Sequence, residues 1–270
     1  MLAASDAGAG GWDTISADVP RVSTTKPASP DKWLHKNAVL WFAGFFVFAL
    51  WAFWPSYFSR IGETAEPRFH THGLAMTAWC LLLISSAWLI RTNGRAAHRK
   101  LGLLSYVLAP LVIAATVNLI HYRMKGGGTL PEIGLYQLAL MVNGALAFAV
   151  LYALAMLTRK TTALHARYMV CTVFPLFTPA TDRWIYVHWP SLTSLVPSIG
   201  GVPLVQIYGF ALADVVLLAL IVWDWRAKRL VSAFPVALGV LALYHASVLT
   251  LYRFEFWRTF ADWFRGLPLS

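Results

Sequence analysis

Seven apolar runs separated by short polar breaks constrain this chain more than any other feature. They lie at roughly 37–57, 72–91, 102–122, 135–157, 167–188, 204–225 and 231–253, each long enough to cross a hydrocarbon core of about 30 Å as a helix. Lipid offers backbone groups no hydrogen-bond partners, so such segments must satisfy themselves as helices. The predicted fold class is therefore all-α, a polytopic helical membrane protein of about seven transmembrane helices. Composition agrees: 58% of residues are hydrophobic and 13% charged, against about a quarter charged in soluble domains.

A net charge of +10 and a pI near 9.9 would suggest nucleic acid in a soluble protein. The placement of the charges excludes that partner, because they follow the positive-inside rule. Arg21, Lys26, Lys32 and Lys36 precede the first run, and Arg91, Arg95, Arg99 and Lys100 fill the 2-3 loop. Arg159, Lys160 and Arg167 fill the 4-5 loop, and Arg226, Lys228 and Arg229 the 6-7 loop. The opposite side carries half as many, so the N-terminus is expected in the cytoplasm and the C-terminus outside. Residues 1–35 read as a flexible cytoplasmic tail without a signal peptide, 36–253 as the transmembrane domain and 254–270 as an amphipathic segment at the outer interface. In that last segment Phe256, Trp257, Phe260 and Phe264 fall toward one side. Cys80 and Cys171 lie in different halves of their spans and are not expected to pair.

A weak repeat links LIRTNGRAAHRK with LTRKTTALHAR, each following an even-numbered span. It predicts two related hairpins, with His98, Arg99, His165 and Arg167 at the inner face touching headgroups or an anionic ligand group.

The remaining histidines collect on the outer side. His70 and His72 open span 2, His121 closes span 3, His188 closes span 5 and His245 lies within span 7. Asp182, Arg183 and Asp214 sit inside spans, where ionisable groups are costly enough to suggest function. Positions i and i+2 of a helix point about 200° apart, so His70 and His72 can share one ligand only if Phe69–His72 is an extended approach to the helix, which Pro67 is read as favouring. His72 and His121 should lie at one depth on neighbouring helices. They are the first candidates for ligands of haem b or a non-haem iron, copper or zinc, with His245 and His70 next. Asp182, Arg183 and Asn118 are the expected orienting groups behind them.

The segments FWPSYFSR, HTHGLAMTAWCLLLISSAWLIRTNGRAAHRKLG, LHARYM and TPATDRWIY resemble a group of uncharacterised bacterial multi-pass membrane proteins with an HxHG opening and an HRxLG motif before the next span. The resemblance covers roughly residues 40–190 and implies a helical fold in a bacterial inner membrane. More distantly, histidines at helix ends are similar to the transmembrane cytochrome b superfamily, although span 4 here contains no histidine. Three functions stay open. The leading one is a membrane redox protein, a possible oxidoreductase, acting on a lipophile such as a quinone or isoprenoid. The others are a cofactor-free accessory subunit docking other membrane subunits, and a proton-coupled transporter using Asp182, Asp214 and Arg183.

Overall fold

The computed structural model describes residues 30–63, 66–126, 128–227 and 232–269, with side chains from residue 36 onward. Residues 1–29 of the expected tail lie outside the described residues, and helix α1 begins at Pro30, inside the stretch assigned to that tail.

The chain is helical almost throughout. The long helices are α1 (Pro30–Phe53), α2 (Pro67–Arg91), α3 (Arg95–Leu103) leading into α4 (Ser105–Met124), and α5 (Glu132–Leu157). There follow α6 (Thr162–Cys171), α7 (Phe177–His188), α8 (Gln206–Arg226), α9 (Ala233–Thr250) and the short α10 (Glu255–Arg265). Six helical segments are long and apolar enough to cross a membrane: Lys36–Phe53, Pro67–Arg91, Arg95–Met124, Glu132–Leu157, Gln206–Arg226 and Ala233–Arg253. Large apolar side chains such as Leu74, Val107, Leu157 and Leu243 stand exposed on these helices, as a lipid-facing surface requires.

The run at 167–188 is not a single helix. Pro175 lacks the N–H that would continue the ladder from Cys171, and the chain tightens into a 3₁₀ turn at Phe174–Leu176 before α7 starts. Pro179 falls in the first turn of α7, where a missing N–H costs nothing. The two proline signals were present in the sequence and mark the break.

Neighbouring helices form a closed ring. Going round it, α1 packs on α2, α2 on α4, α4 on α5, α5 on α9, α9 on α8, α8 on α7 and α7 back on α1, with α6 wedged between α5 and α9. The close approach of α7 and α8 depends on Gly209, where an added Cβ would come within 2.7 Å of the Thr178 Cα. Between α7 and α8, a small hairpin pairs β1 (Ser198–Ile199) with β2 (Val202–Pro203) through Gly200 and Gly201, both at positive φ.

The repeat reading has a structural counterpart. α2 and α5 both end where a threonine hydroxyl, on Thr92 and Thr158, donates to the carbonyl four residues back. His98 and His165 are each the fourth residue of the short helix that follows.

The C-terminal helix α10 turns Trp257, Ala261 and Phe264 inward over α4 and α5. Phe256, expected on that apolar side, is instead exposed, because the buried stripe follows the i, i+4, i+7 spacing that starts at Trp257.

Candidate functional site

Helix α2 explains the fate of the opening histidines. Pro67 occupies the first helical turn and the Glu66 carboxylate accepts from the Arg68 N–H at 3.1 Å, so the helix is already formed at Phe69. The expected extended approach is thus overturned: proline here starts a helix rather than delaying it. His70 and His72 diverge as helical geometry demands. Nδ1 of His70 lies 3.0 Å from the Tyr57 hydroxyl, whereas Nδ1 of His72 lies 3.1 Å from the Thr116 hydroxyl of α4.

The other outer histidines lie in separate surroundings. His121 is five residues beyond Thr116, a rotation of about 140° around the helix axis, and its fully buried ring meets the edge of Phe264 from α10. His245 shares Nδ1 with Asp214 at 3.1 Å and stacks on Phe210 at 4.1 Å. His188 stacks on Trp184. Among the described residues no three His, Cys, Asp or Glu side chains come together as a metal-holding group. His72 reaches α4 from α2 at Thr116 and His121 leaves α4 toward Phe264, so the expected joining of these two as ligands of one metal or haem has no support among the described residues. Asn118 likewise serves other groups, accepting from Arg68 Nε at 2.9 Å and donating to the Leu269 carbonyl.

The inner-face set divides too. Arg99 is exposed and His98 and His165 are half-buried. Arg167, expected at headgroups, is 1% exposed and bound to Asp224 by two hydrogen bonds of 2.7 and 3.3 Å, its guanidinium lying 5.3 Å from the Phe234 ring centre. The aspartate that draws it in belongs to α8 and carried no signal linking it to residue 167.

What the fold does bring together is a half-open cavity of about 570 Å³ lined by α1, α2, α4, α5 and α7, with Gln206 and Tyr244 contributed by α8 and α9. That volume is typical of small-molecule sites, which run from roughly 300 to 1,000 Å³. Phe45, Phe46, Met76, Leu140, Met141 and Phe148 give it a long apolar wall. Its charged and polar lining includes His72, Thr116, Arg123, Gln137, Asp182 and Arg183, along with several hydroxyl groups. Three of the residues singled out in the sequence, His72, Asp182 and Arg183, therefore meet here, while His70, His121, His245 and Asn118 do not line it. Arg123, Gln137, Thr116 and Gln206 are functional candidates that sequence reasoning missed; only Arg123, in the last turn of α4, stood out by its charge.

The electrostatics are unbalanced. Asp182 is 8% exposed, and its Oδ1 finds no hydrogen-bond partner among the described residues. Gln206 is its hydrogen-bonding neighbour. Arg183 does not close on it: the guanidinium folds back to donate to the Pro179 carbonyl at 2.8 Å and lies 4.2 Å from the centre of Phe53. No carboxylate among the described residues is within ion-pair distance of Arg183. Such an arrangement suits a ligand that both donates a hydrogen bond and accepts one, because it would satisfy both groups at once.

Gly73 shapes the mouth. The Tyr57 ring lies 3.0 Å from where its Cβ would be, so a larger residue there would press the ring away from α2. Comparisons with known proteins find no match: no protein-family model, no curated protein and no solved structure is similar to this chain.

Proposed function

We propose that the chain is a seven-crossing protein of a bacterial inner membrane, N-terminus inside, that binds an amphiphilic lipophile of quinone or isoprenoid type in the ring cavity. In this reading α6 and α7 together make the fifth crossing. From Thr162 to His188 the path covers 27 residues, roughly 40 Å at 1.5 Å per residue, which exceeds the hydrocarbon thickness. The lipophile's polar end meets Asp182, Arg183 and His72, and its tail lies along the Phe45, Met76 and Phe148 wall.

The observation that carries this reading is Asp182: a buried carboxylate with an unsatisfied oxygen, facing a largely apolar cavity. Leaving a buried polar group unpaired costs free energy unless something fills the site. The test is to purify the protein in a mild detergent, extract it with organic solvent and identify lipophiles by mass spectrometry. The expected result is a lipophile at near-stoichiometric level that is lost from Asp182→Asn. Extracts indistinguishable from a detergent blank would overturn the reading. A Soret band that sharpens its α and β bands with dithionite in the same preparation would favour haem instead.

A further inference from the structure

The two arginines of the cavity define what kind of head group it takes. Arg183 lies in the second turn of α7, and Arg123 lies in the last turn of α4, exposed on the same cavity. Both guanidinium-bearing residues line this one cavity. Arg123 makes no hydrogen bond or ion pair among the described residues, and Arg183 spends only one donor, on a backbone carbonyl of its own helix. Among the described residues Asp182 is the only carboxylate lining the cavity, so two cations accompany one anion in a space walled mainly by apolar side chains.

Like charges held together in a cavity of low polarity are stabilised when an anion sits between them, and guanidinium groups bind oxyanions through paired N–H donors. The unsatisfied Oδ1 of Asp182 beside them calls for a hydrogen-bond donor on the same ligand. A singly protonated phosphate monoester offers both, one negative charge shared over two terminal oxygens and one O–H; a protonated carboxyl offers the O–H while sacrificing the charge. Thr116 and His72, in contact with each other, line the same cavity and add neutral hydrogen-bonding capacity.

Resting on the lipophile reading above, we infer that the ligand is an anionic amphiphile whose head group is a phosphate monoester, bridged by Arg123 and Arg183 with its hydroxyl directed to Asp182. A quinone, whose head is neutral, leaves the two cations uncompensated. A carboxylate amphiphile shares the charge but cannot serve Asp182 and both arginines together.

The experiment uses the full-length protein, delipidated in a neutral detergent. Binding of farnesyl phosphate, palmitate, farnesol and decylubiquinone is compared by native mass spectrometry. Farnesyl phosphate is expected to bind at least roughly tenfold tighter than farnesol, since charge-assisted contacts exceed neutral ones by about that much. Arg123→Gln, an exposed position whose replacement leaves packing intact, should reduce that preference several-fold without changing farnesol binding. Arg183→Gln should do the same.

Equal binding of farnesol or decylubiquinone and farnesyl phosphate, unmoved by Arg123→Gln, overturns the anionic head group and leaves the lipophile reading standing. Preference for palmitate over farnesyl phosphate overturns the phosphate and retains the anion. Failure of all four probes to bind overturns this inference and the lipophile reading together.

Discussion

Arg167 with Asp224 and Asp182 with Arg183 are arginine–aspartate neighbours within the helix ring, and they are built in opposite ways. Arg167 and Asp224 come from α6 and α8, meet through two hydrogen bonds and leave only 1% and 5% of their side chains exposed. Asp182 and Arg183 are adjacent on α7 yet point past each other, one oxygen unsatisfied and the guanidinium turned to its own helix. Adjacent helical positions lie about 100° apart, so neighbours in sequence cannot close on one another as residues on facing helices can. The first pair is complete and does not line the ring cavity; the second is incomplete and lines it. A closed pair holds helices together, whereas an open one has free valence for something that arrives from outside the chain.

The largest effect should come from opening the closed pair. Arg167→Ala or Asp224→Ala strands a buried charge and is expected to cost about 3–5 kcal/mol, read as a fall in thermal stability in detergent. If the double variant Arg167→Met, Asp224→Leu recovers most of that loss, the pair acts through charge satisfaction alone.

Next comes the contact that places the open pair. Gly209→Ala drives a methyl group against the Thr178 backbone and should cost about 1–3 kcal/mol by displacing α7. Its lipophile occupancy should fall with it, while Arg167–Asp224 remains formed.

Asp182→Asn should behave in the reverse sense to Asp224→Ala: stability unchanged or raised by at most about 1 kcal/mol, because the asparagine keeps an oxygen for Gln206, with the bound lipophile lost. A large drop in stability would show Asp182 to be as structural as Asp224.

The smallest effect belongs to a pair at the surface. Desolvation raises the Glu66 carboxyl, but the hydrogen bonds and charge of Arg68 outweigh it and hold the group below its usual value. A lowered folded value means that its contribution to stability is present above the unfolded glutamate pKa of about 4.3 and is lost as pH falls through the folded value. Glu66→Gln should remove that acid-side dependence, lowering the melting temperature slightly at neutral pH and leaving it unchanged in acid.

Much of the architecture was legible because a lipid-crossing helix announces itself by length and apolarity, and six such helices stand where the hydropathy runs lie. The break at Pro175 was legible in principle, since Pro175 and Pro179 lie four residues apart within one run. The site was legible only in part. Asp182, Arg183 and His72 were marked by the cost of polar groups among apolar neighbours, and all three line the cavity. That His121 turns to Phe264 and His245 to Asp214 depends on helix rotation and on which helices adjoin, and neither leaves a trace in the local sequence. Arg167 was misjudged for the same reason: a basic residue next to a loop reads as surface until a partner on a distant helix, here Asp224, takes it inside.

The C-terminal helix has a consequence for the order of folding. Arg265 donates to the carbonyls of Met124, Gly126 and Gly128, Arg258 to that of Leu130 and Trp257 to that of Leu135. One short segment thus latches the turn between α4 and α5 across 122 to 141 residues of intervening chain. Such distant contacts must meet the entropy of closing a long loop, so the latch belongs among the late events of folding, after the α4–α5 hairpin has already paired. Contacts made after the rate-limiting step govern how fast a protein comes apart rather than how fast it forms. Loosening Arg265 should therefore speed unfolding and leave the folding rate as it was.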